Sequence, residues 1–233
     1  MLASHSVEPT MPITVVVPTL DEAESLARCL PELVDRFEEV IVSDGGSQDE
    51  TVAIAQRCGA RVVESDPGRG PQLNRGAEAA RGDVLLFVHA DTRLPSHAGE
   101  AIRDAIAHGA VGGAFTLRFD HDSALFRLGS ALVNLRTRWL RIPLGDQAQF
   151  ASRGAFETLE GFRPWPILED LDFIRRLRRH GKIQILDGPA LTSTRRYLHR
   201  GVLRSLATNY LIWTLWTFGV SPHRLAKLYR KVR

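Results

Sequence analysis

GPQLNRGAEAARGDVLLFVHADT, residues 70–92, carries a helix, a strand and a strand end in one run. GPQLNRGAEAARG reads as a helix, and DVLLFVHA follows as an apolar strand. A buried strand does not ordinarily finish by turning an imidazole and a carboxylate to one side. Yet His89 and Asp91 stand two residues apart, the side-chain period of a strand.

Outward from this run the same alternation repeats. ITVVVPT (13–19) is a β-branched strand. In DEAESLARCLPELVDRF, Leu26, Leu30 and Leu33 keep helical spacing, and Asp21, Glu22 and Glu24 lie near the start, where the macrodipole favours acids. EVIVSD (39–44) is the next strand, closed by the turn signal GGS. DETVAIAQRCG is a helix stopped by Gly59, and ARVVES a third strand. Strands alternating with helices predict a parallel, doubly wound α/β sheet, whose ligands bind beyond the C-terminal strand ends. Asp44 and Asp91 stand at such ends.

After Asp91 the pattern loosens. GGAFTLRF reads as a strand, SALFRLGSALVNLRTRWL as a helix, DQAQFASRGAFETLEGF as strand, helix and loop, and EDLDFIRRLRRHG as a short helix. VLRSLATNYLIWTLWTFGV (202–220) approaches the roughly 20 apolar residues that span a bilayer, but Arg204 and Asn209 interrupt it. Its Trp213, Trp216 and Phe218, with the basic flank HRLAKLYRK, suit either a helix lying in a membrane interface or a core or oligomer-contact helix.

The chain has 233 residues, enough for one large domain or two small ones. Cys29 and Cys58 form no CxxC pair, which points to a reduced, intracellular chain. MLASHSVEPTM has neither a basic start nor a long apolar run, so it reads as a disordered leader, with Met11 an alternative start. Net charge is +3 but segregated: Leu171–Arg233 holds 14 Arg and Lys against two acids, and the remainder 16 bases against 25 acids. A basic C-terminal portion suits an anionic partner such as a diphosphate or an acidic lipid. Nucleic acid is disfavoured, because no stacking aromatics interleave with the bases in a recognisable module. GxGxxG after the first strand, GxxxxGK[ST] and HExxH are all absent. What remains is a set of carboxylates at loop positions.

VVVPTLDEAESL, IVSDGGSQDET, GRGPQLNRGAEAARGDVLLFVHADT and ILEDLDFIRRLRRHG occur in the order found in family 2 glycosyltransferases of the GT-A fold. GDQAQF and SPHRLAKLY resemble the bacterial subgroup described as radical-SAM/selenodomain-associated transferases. The resemblance implies a Rossmann-like, mostly parallel sheet flanked by helices, with a C-terminal helical segment. Residues 1–11 would be the leader and 12–233 a single GT-A domain, with a nucleotide-binding half (12–120), an acceptor half (121–200) and C-terminal helices (201–233).

The implied activity is inverting, metal-dependent transfer of a sugar from a nucleotide-diphosphate donor to an unidentified hydroxyl acceptor. The family's Asp-x-Asp metal motif stands here as His89-Ala90-Asp91. Asp91 is the implied ligand of Mn²⁺ or Mg²⁺. His89 either joins it on Mn²⁺ or bonds ribose or phosphate. Pro18, Thr19, Glu22 and Asp44 would border the base and ribose, although Asp44 before Gly45-Gly46 also reads as a turn former. Arg69, on a glycine-flanked loop, would hold the diphosphate. Gln72 and Asn74 accompany it, Asn74 either in the donor site or tying helix to strand.

Asp146 either holds sugar hydroxyls or forms a turn. Asp170 is the implied catalytic base, against the reading that Glu169, Asp170 and Asp172 only stabilise a helix start. Arg195 or Arg196 would close over the diphosphate, and His199 is a further candidate ligand. The expected location is cytoplasmic, peripheral on the inner face of the membrane, with an anionic surface as partner. Rival readings are a sugar-nucleotide-binding partner protein with little catalysis, and a nucleotidylyltransferase. The second would need a glycine-rich loop after the first strand, which PTLDEAES lacks.

Overall fold

The computed structural model describes residues 11–195 and 202–232. In the first part β1 (Ile13–Thr19), β2 (Glu39–Asp44), β3 (Arg61–Glu64) and β4 (Val84–Phe87) alternate with α1 (Ala23–Val34), α2 (Thr51–Arg57) and α3 (Arg69–Ala79). Then come β5 (Thr92–Arg93), α4 (Ala98–Ala107), β6 (Gly112–Phe119) and α5 (Ala124–Leu140). After a 3-10 turn at Gly145–Gln147 follow β7 (Phe150–Ser152), α6 (Arg153–Thr158), α7 (Glu169–His180) and β8 (Ile183–Thr192). The helices α8 (Val202–Thr217) and α9 (Pro222–Val232) complete the described chain.

The strands form one sheet in the order β3-β2-β1-β4-β7-β6-β8-β5. β1, β2, β3 and β4 pair in parallel, and β6 pairs in parallel with β8. The chain winds from β1 outward to β3 and then returns to lay β4 on the other side of β1. That reversal opens a crevice at the C-terminal ends of β1 and β4. β7 runs antiparallel between β4 and β6, with Phe150 opposite both Leu86 and Gly113. Its reversed direction carries the preceding loop, residues 145–149, to the same edge of the sheet as the end of β4.

Helices cover both faces, so the central strands are apolar without alternation. One core packs Val15, Val17, Leu26, Leu30 and Leu86 together, and the other gathers Val16, Phe87, Phe156, Phe162 and Phe173. In the second, Phe162 and Phe173 meet at 4.5 Å with their rings tilted by 40°, and Phe87 meets Phe162 edge-on at 4.8 Å. α3 lies close on β1: a Cβ at Gly76 would fall 2.3 Å from Val16 Cγ1.

Several expectations need correction. β4 ends at Phe87, and a turn bonded from Thr92 N–H to the His89 carbonyl at 3.0 Å carries His89 and Asp91. They share a side through a turn, not through strand alternation. α4, β5 and β8 are elements that the sequence pattern did not reveal. α4 buries Ala98, Ile102 and Ala105, with Ala101 and Ile106 half-buried against the same core. β8 holds Asp187, Gly188 and Pro189, residues that argue against a strand, yet it pairs with β6 along most of its length and with β5.

The tryptophans of α8 turn inward. Trp213 and Trp216 pack on the second core, with the Arg136 guanidinium 4.9 Å from one ring and Arg175 4.2 Å from the other. On α7, Arg178 and Arg179 are exposed, whereas Arg175 and Arg176 are half-buried. Arg176 binds Asp172 Oδ2 at 2.7 Å and the Leu159 and Gly161 carbonyls at 2.6 and 2.7 Å. No described helix is long and apolar enough to cross a membrane. The leader expected at the N-terminus lies outside the described residues, apart from Met11.

Candidate active site

At the ends of β1 and β2 a polar cluster closes the crevice on one side. Asp44 Oδ2 accepts the Gly46 and Ser47 N–H groups at 2.9 and 2.8 Å. Its Oδ1 accepts the Ser47 and Thr19 hydroxyls at 2.5 and 3.1 Å. Burial works to raise this carboxyl, but the Ser47, Gly46 and Thr19 bonds outweigh it and hold Asp44 below the ordinary aspartate value. Gln72 is buried and donates Nε2 to the Thr19 and Ser43 carbonyls at 2.5 and 3.1 Å, joining the two strand ends. Thr19, Asp44 and Gln72 are therefore one bonded unit, with Pro18 half-buried beside it.

α3 links this unit to a cleft. Arg69 opens the helix and its Nε lies 2.6 Å from Glu169 Oε1; the arginine side chain is 40% exposed and the glutamate 1%. Burial pushes the Glu169 carboxyl up against the opposing pull of Arg69, and the carboxylate in turn holds the guanidinium more firmly charged. Glu169 starts α7, which presents Asp170 as its next residue. Asp170 Oδ2 accepts the Gly145 N–H at 2.7 Å, and Oδ1 accepts the Leu171 N–H at 2.8 Å. The helix start thus fixes the carboxylate while the Gly145 loop meets it.

Gly145 has a steric reason. A Cβ there would sit 3.0 Å from Asp170 Oδ2 and 3.1 Å from His89 Nε2, so both side chains converge on one point. Arg69, His89, Asp91, Asp146 and Asp170 line one cavity of about 310 Å³. Its other wall is apolar and helical, with Val133 from α5, Ile212 and Trp213 from α8, and Tyr229 from α9. Arg204 and Asn209, the two polar interruptions of the apolar run, also line it, as does Arg136. The motif reading missed Arg136 and Tyr229. For Arg136 the sequence offered no signal: at helical spacing it lies next to the leucine-bearing stripe of α5, where a basic residue reads as a surface charge.

Other expected residues fall elsewhere. Asn74 lines a groove on the α3–α6 side, and both its amide atoms bond the Phe162 backbone, at 2.7 and 2.8 Å. It ties helix to loop and takes no place in the cleft. Gln147 is fully buried, donating to the Phe115 carbonyl at 2.9 Å and accepting the Thr137 hydroxyl at 3.0 Å. Gln149 donates to the Pro143 and Asp170 carbonyls at 3.0 and 3.3 Å. These two glutamines hold the Gly145 loop and the α7 start in place. Asp172 faces Arg176 and Arg163, away from the cleft.

Arg195 pairs with Glu22 Oε2 at 3.3 Å and Glu24 Oε2 at 3.5 Å, so the C-terminal part of the chain reaches back to the entrance of α1. Arg196 and His199 lie outside the described residues. Among the described residues no three His, Cys, Asp or Glu side chains converge as a metal-ligand set.

The family model for Glycosyl transferase family 2 matches residues 14–163. A PGL/p-HBAD biosynthesis glycosyltransferase of Mycobacterium bovis is 31% identical over 207 residues, covering 80% of this chain and 73% of that one. Glucosyl-3-phosphoglycerate synthase of Mycolicibacterium paratuberculosis is 39% identical over 96 residues, covering 36% of this chain and 29% of its own. Among solved structures, S. aureus TarS 1-349 in complex with UDP-GlcNAc superimposes with a TM-score of 0.61 at 18% identity, over 78% of this chain. The chain spans 58% of that protein's length.

Glucosyl-3-phosphoglycerate synthase from Mycobacterium tuberculosis, in complex with Mn²⁺, UDP and phosphoglyceric acid, gives a TM-score of 0.55 at 21% identity, covering 76% of this chain and 68% of that one. Both structural likenesses speak for the fold alone, which is of the GT-A type. The family match runs from β1 through the cleft loop, and the mycobacterial relative carries it over most of both chains: this protein belongs to glycosyl transferase family 2, enzymes that transfer glycosyl groups.

Proposed function

We propose that the protein moves a sugar from a nucleotide-diphosphate donor to a hydroxyl acceptor with inversion, using Asp170 as general base. The observation that carries this reading is the convergence of Asp170 Oδ2 and His89 Nε2 on Gly145, in a cavity shared with Arg69 and Asp91. The family match ends at residue 163, so the role of Asp170 rests on that geometry and on the motif. In one displacement the acceptor oxygen forms a bond to the anomeric carbon and the bond from that carbon to the diphosphate oxygen breaks. The acceptor proton passes to Asp170, whose two backbone N–H bonds keep it in position.

Arg69 meets Glu169 through Nε, which leaves its terminal N–H groups to hold the diphosphate. Thr19, Asp44 and Gln72 form the floor of the base and ribose site, with Pro18 and Glu22 at its edge and Asp146 towards the sugar. Arg195 would close from above, with Arg196 its alternative. The Asp91 carboxylate fits a hard divalent cation whose remaining positions come from phosphate oxygens, because such ions commonly take one or two carboxylates together with substrate phosphates, whereas the His89 imidazole suits a softer ion than Mg²⁺. Asp91 would hold Mn²⁺ or Mg²⁺, with His89 joining it on Mn²⁺ or bonding ribose or phosphate, and the bound ion would neutralise charge on the leaving diphosphate.

UDP is the first donor base to test, since TarS is seen with UDP-GlcNAc and the glucosyl-3-phosphoglycerate synthase with UDP and Mn²⁺. The radical-SAM/selenodomain-associated subgroup, a single domain over 12–233 with a nucleotide half and an acceptor half, and a cytoplasmic place against an anionic membrane face belong to the same proposal. The experiment is a thermal-shift panel of UDP-, GDP- and dTDP-sugars with and without Mn²⁺, followed by NMR of the product's anomeric configuration. Stabilisation by one donor class with Mn²⁺, and an inverted product, are expected. A retained configuration would remove Asp170 from the role of base in a single displacement.

A further inference from the structure

Helix α5 is built inside out. Its inward side buries Phe126, Ser130 and Thr137, and Asn134 bonds the Leu117 N–H and carbonyl at 2.7 and 2.9 Å. Its outward side exposes Leu125 (48%), Leu128 (58%), Leu132 (53%), Leu135 (55%) and Trp139 (83%). Their spacing is three, four, three and four residues. At 3.6 residues per turn the five fall within an arc of about 80°. Surface helices normally turn such a stripe to the core and their serines, threonines and asparagines to water. Single exposed leucines need no explanation, but a continuous stripe marks a contact surface.

The charges choose the occupant. The helix contains Arg127, Arg136 and Arg138, with Arg141 just beyond its end, and no acid at all. Arg127 pairs with Asp122 at 2.8 Å and Arg138 with Asp187 at 2.6 Å, but all four side chains are more than half exposed, and such pairs are weak and exchangeable. A second copy docked through this stripe would set two all-basic helices side by side. An anionic bilayer would receive the leucines and Trp139 in its interface and the arginines at its headgroups.

We propose that α5, rather than the tryptophan-bearing α8, is a membrane-docking element that lies on an anionic bilayer surface. Val133 and Arg136 of the same helix line the catalytic cavity. Docking therefore sets that cavity within about one helix diameter, roughly 10 Å, of the headgroups, where a hydroxyl acceptor carried by a lipid would be within reach. The docking itself does not depend on the proposed transfer chemistry, and its test reads no catalysis.

The test is co-sedimentation of the full chain with vesicles of phosphatidylcholine alone and with 30% phosphatidylglycerol, alongside the double variant Leu128→Glu/Leu132→Glu. Both substituted positions are exposed and neither lines the cavity, so thermal unfolding should match wild type. Wild type is expected to bind the anionic vesicles, less so in high salt, and the variant's partition coefficient to fall at least about tenfold. Absence of binding at low salt overturns the proposal, as does equal binding by the variant. A lipid-free wild-type dimer that the double variant converts to monomer, seen by light scattering, would assign the stripe to a second copy instead.

Discussion

Asp44 forms a turn, and it is also the residue we propose at the base and ribose site. Its four donors all favour the ionised carboxylate and hold its titration below the ordinary aspartate value. The stabilisation it contributes is complete above the unfolded value of about 3.9 and is lost as pH falls through the lower folded value. In Asp44→Asn the melting temperature should therefore lie below wild type by a constant gap from pH 7 to about pH 5, and the gap should shrink in more acidic buffer. Circular dichroism melts across that range check it; a gap that ignores pH would mean the bonds do not depend on charge.

Asp170→Asn keeps the shape of the side chain and one of its two acceptors, giving up either the Gly145 or the Leu171 N–H bond, while removing the base. Donor binding near wild type with transfer reduced roughly 10²–10⁴-fold is expected, measured by calorimetry and by single-turnover assay. Asp91→Ala should remove the Mn²⁺-dependent part of UDP affinity without changing the melting temperature. The cleft residues were legible only through the order of their motifs, because a carboxylate at a strand end or helix start serves equally as a turn former or a helix-start acid. Asn74 was not fully legible, because the amide that suits a ligand equally suits a backbone pair, and only the placement of Phe162 decides between them.

Among the elements, the loop at residues 145–149 does the most with the least side chain. Two buried glutamines anchor it, and Gly145 keeps the space between Asp170 and His89 open. Gly145→Val should lower transfer strongly with little change in unfolding, because it crowds the two side chains rather than the core. Asn74→Ala should do the reverse. It leaves a buried N–H and carbonyl at Phe162 without their partner, at a cost of about 1–3 kcal/mol, while UDP affinity stays at wild type; a large loss of affinity would return Asn74 to the donor site. The alternating first part was readable from its β-branched runs. β8 was not, since Gly188 and Pro189 argue locally against a strand and the pairing with β6 overrides them. α4 escaped although Ala98, Ala101, Ile102, Ala105 and Ile106 keep helical spacing, because a stripe made mostly of alanine is a weak apolar signal.

At the scale of the whole molecule, the sheet brings residues distant in sequence to one edge, and the C-terminal part returns to that edge. The segregation of basic charge was visible in the sequence, but its destination was not. Arg195 spans 173 positions to reach Glu22, and its side chain is 43% exposed. The two glutamates already occupy the cation that an incoming diphosphate would seek. If Arg195 swings to the nucleotide, one anion replaces another and few counterions leave or enter solution. Nucleotide binding would then be an ion exchange within the protein, with a shallow dependence on salt. Replacing the internal anions, as in Glu22→Gln/Glu24→Gln, should tighten UDP binding at low ionic strength and steepen its loss as salt is added, read as the slope of log Kd against log salt concentration.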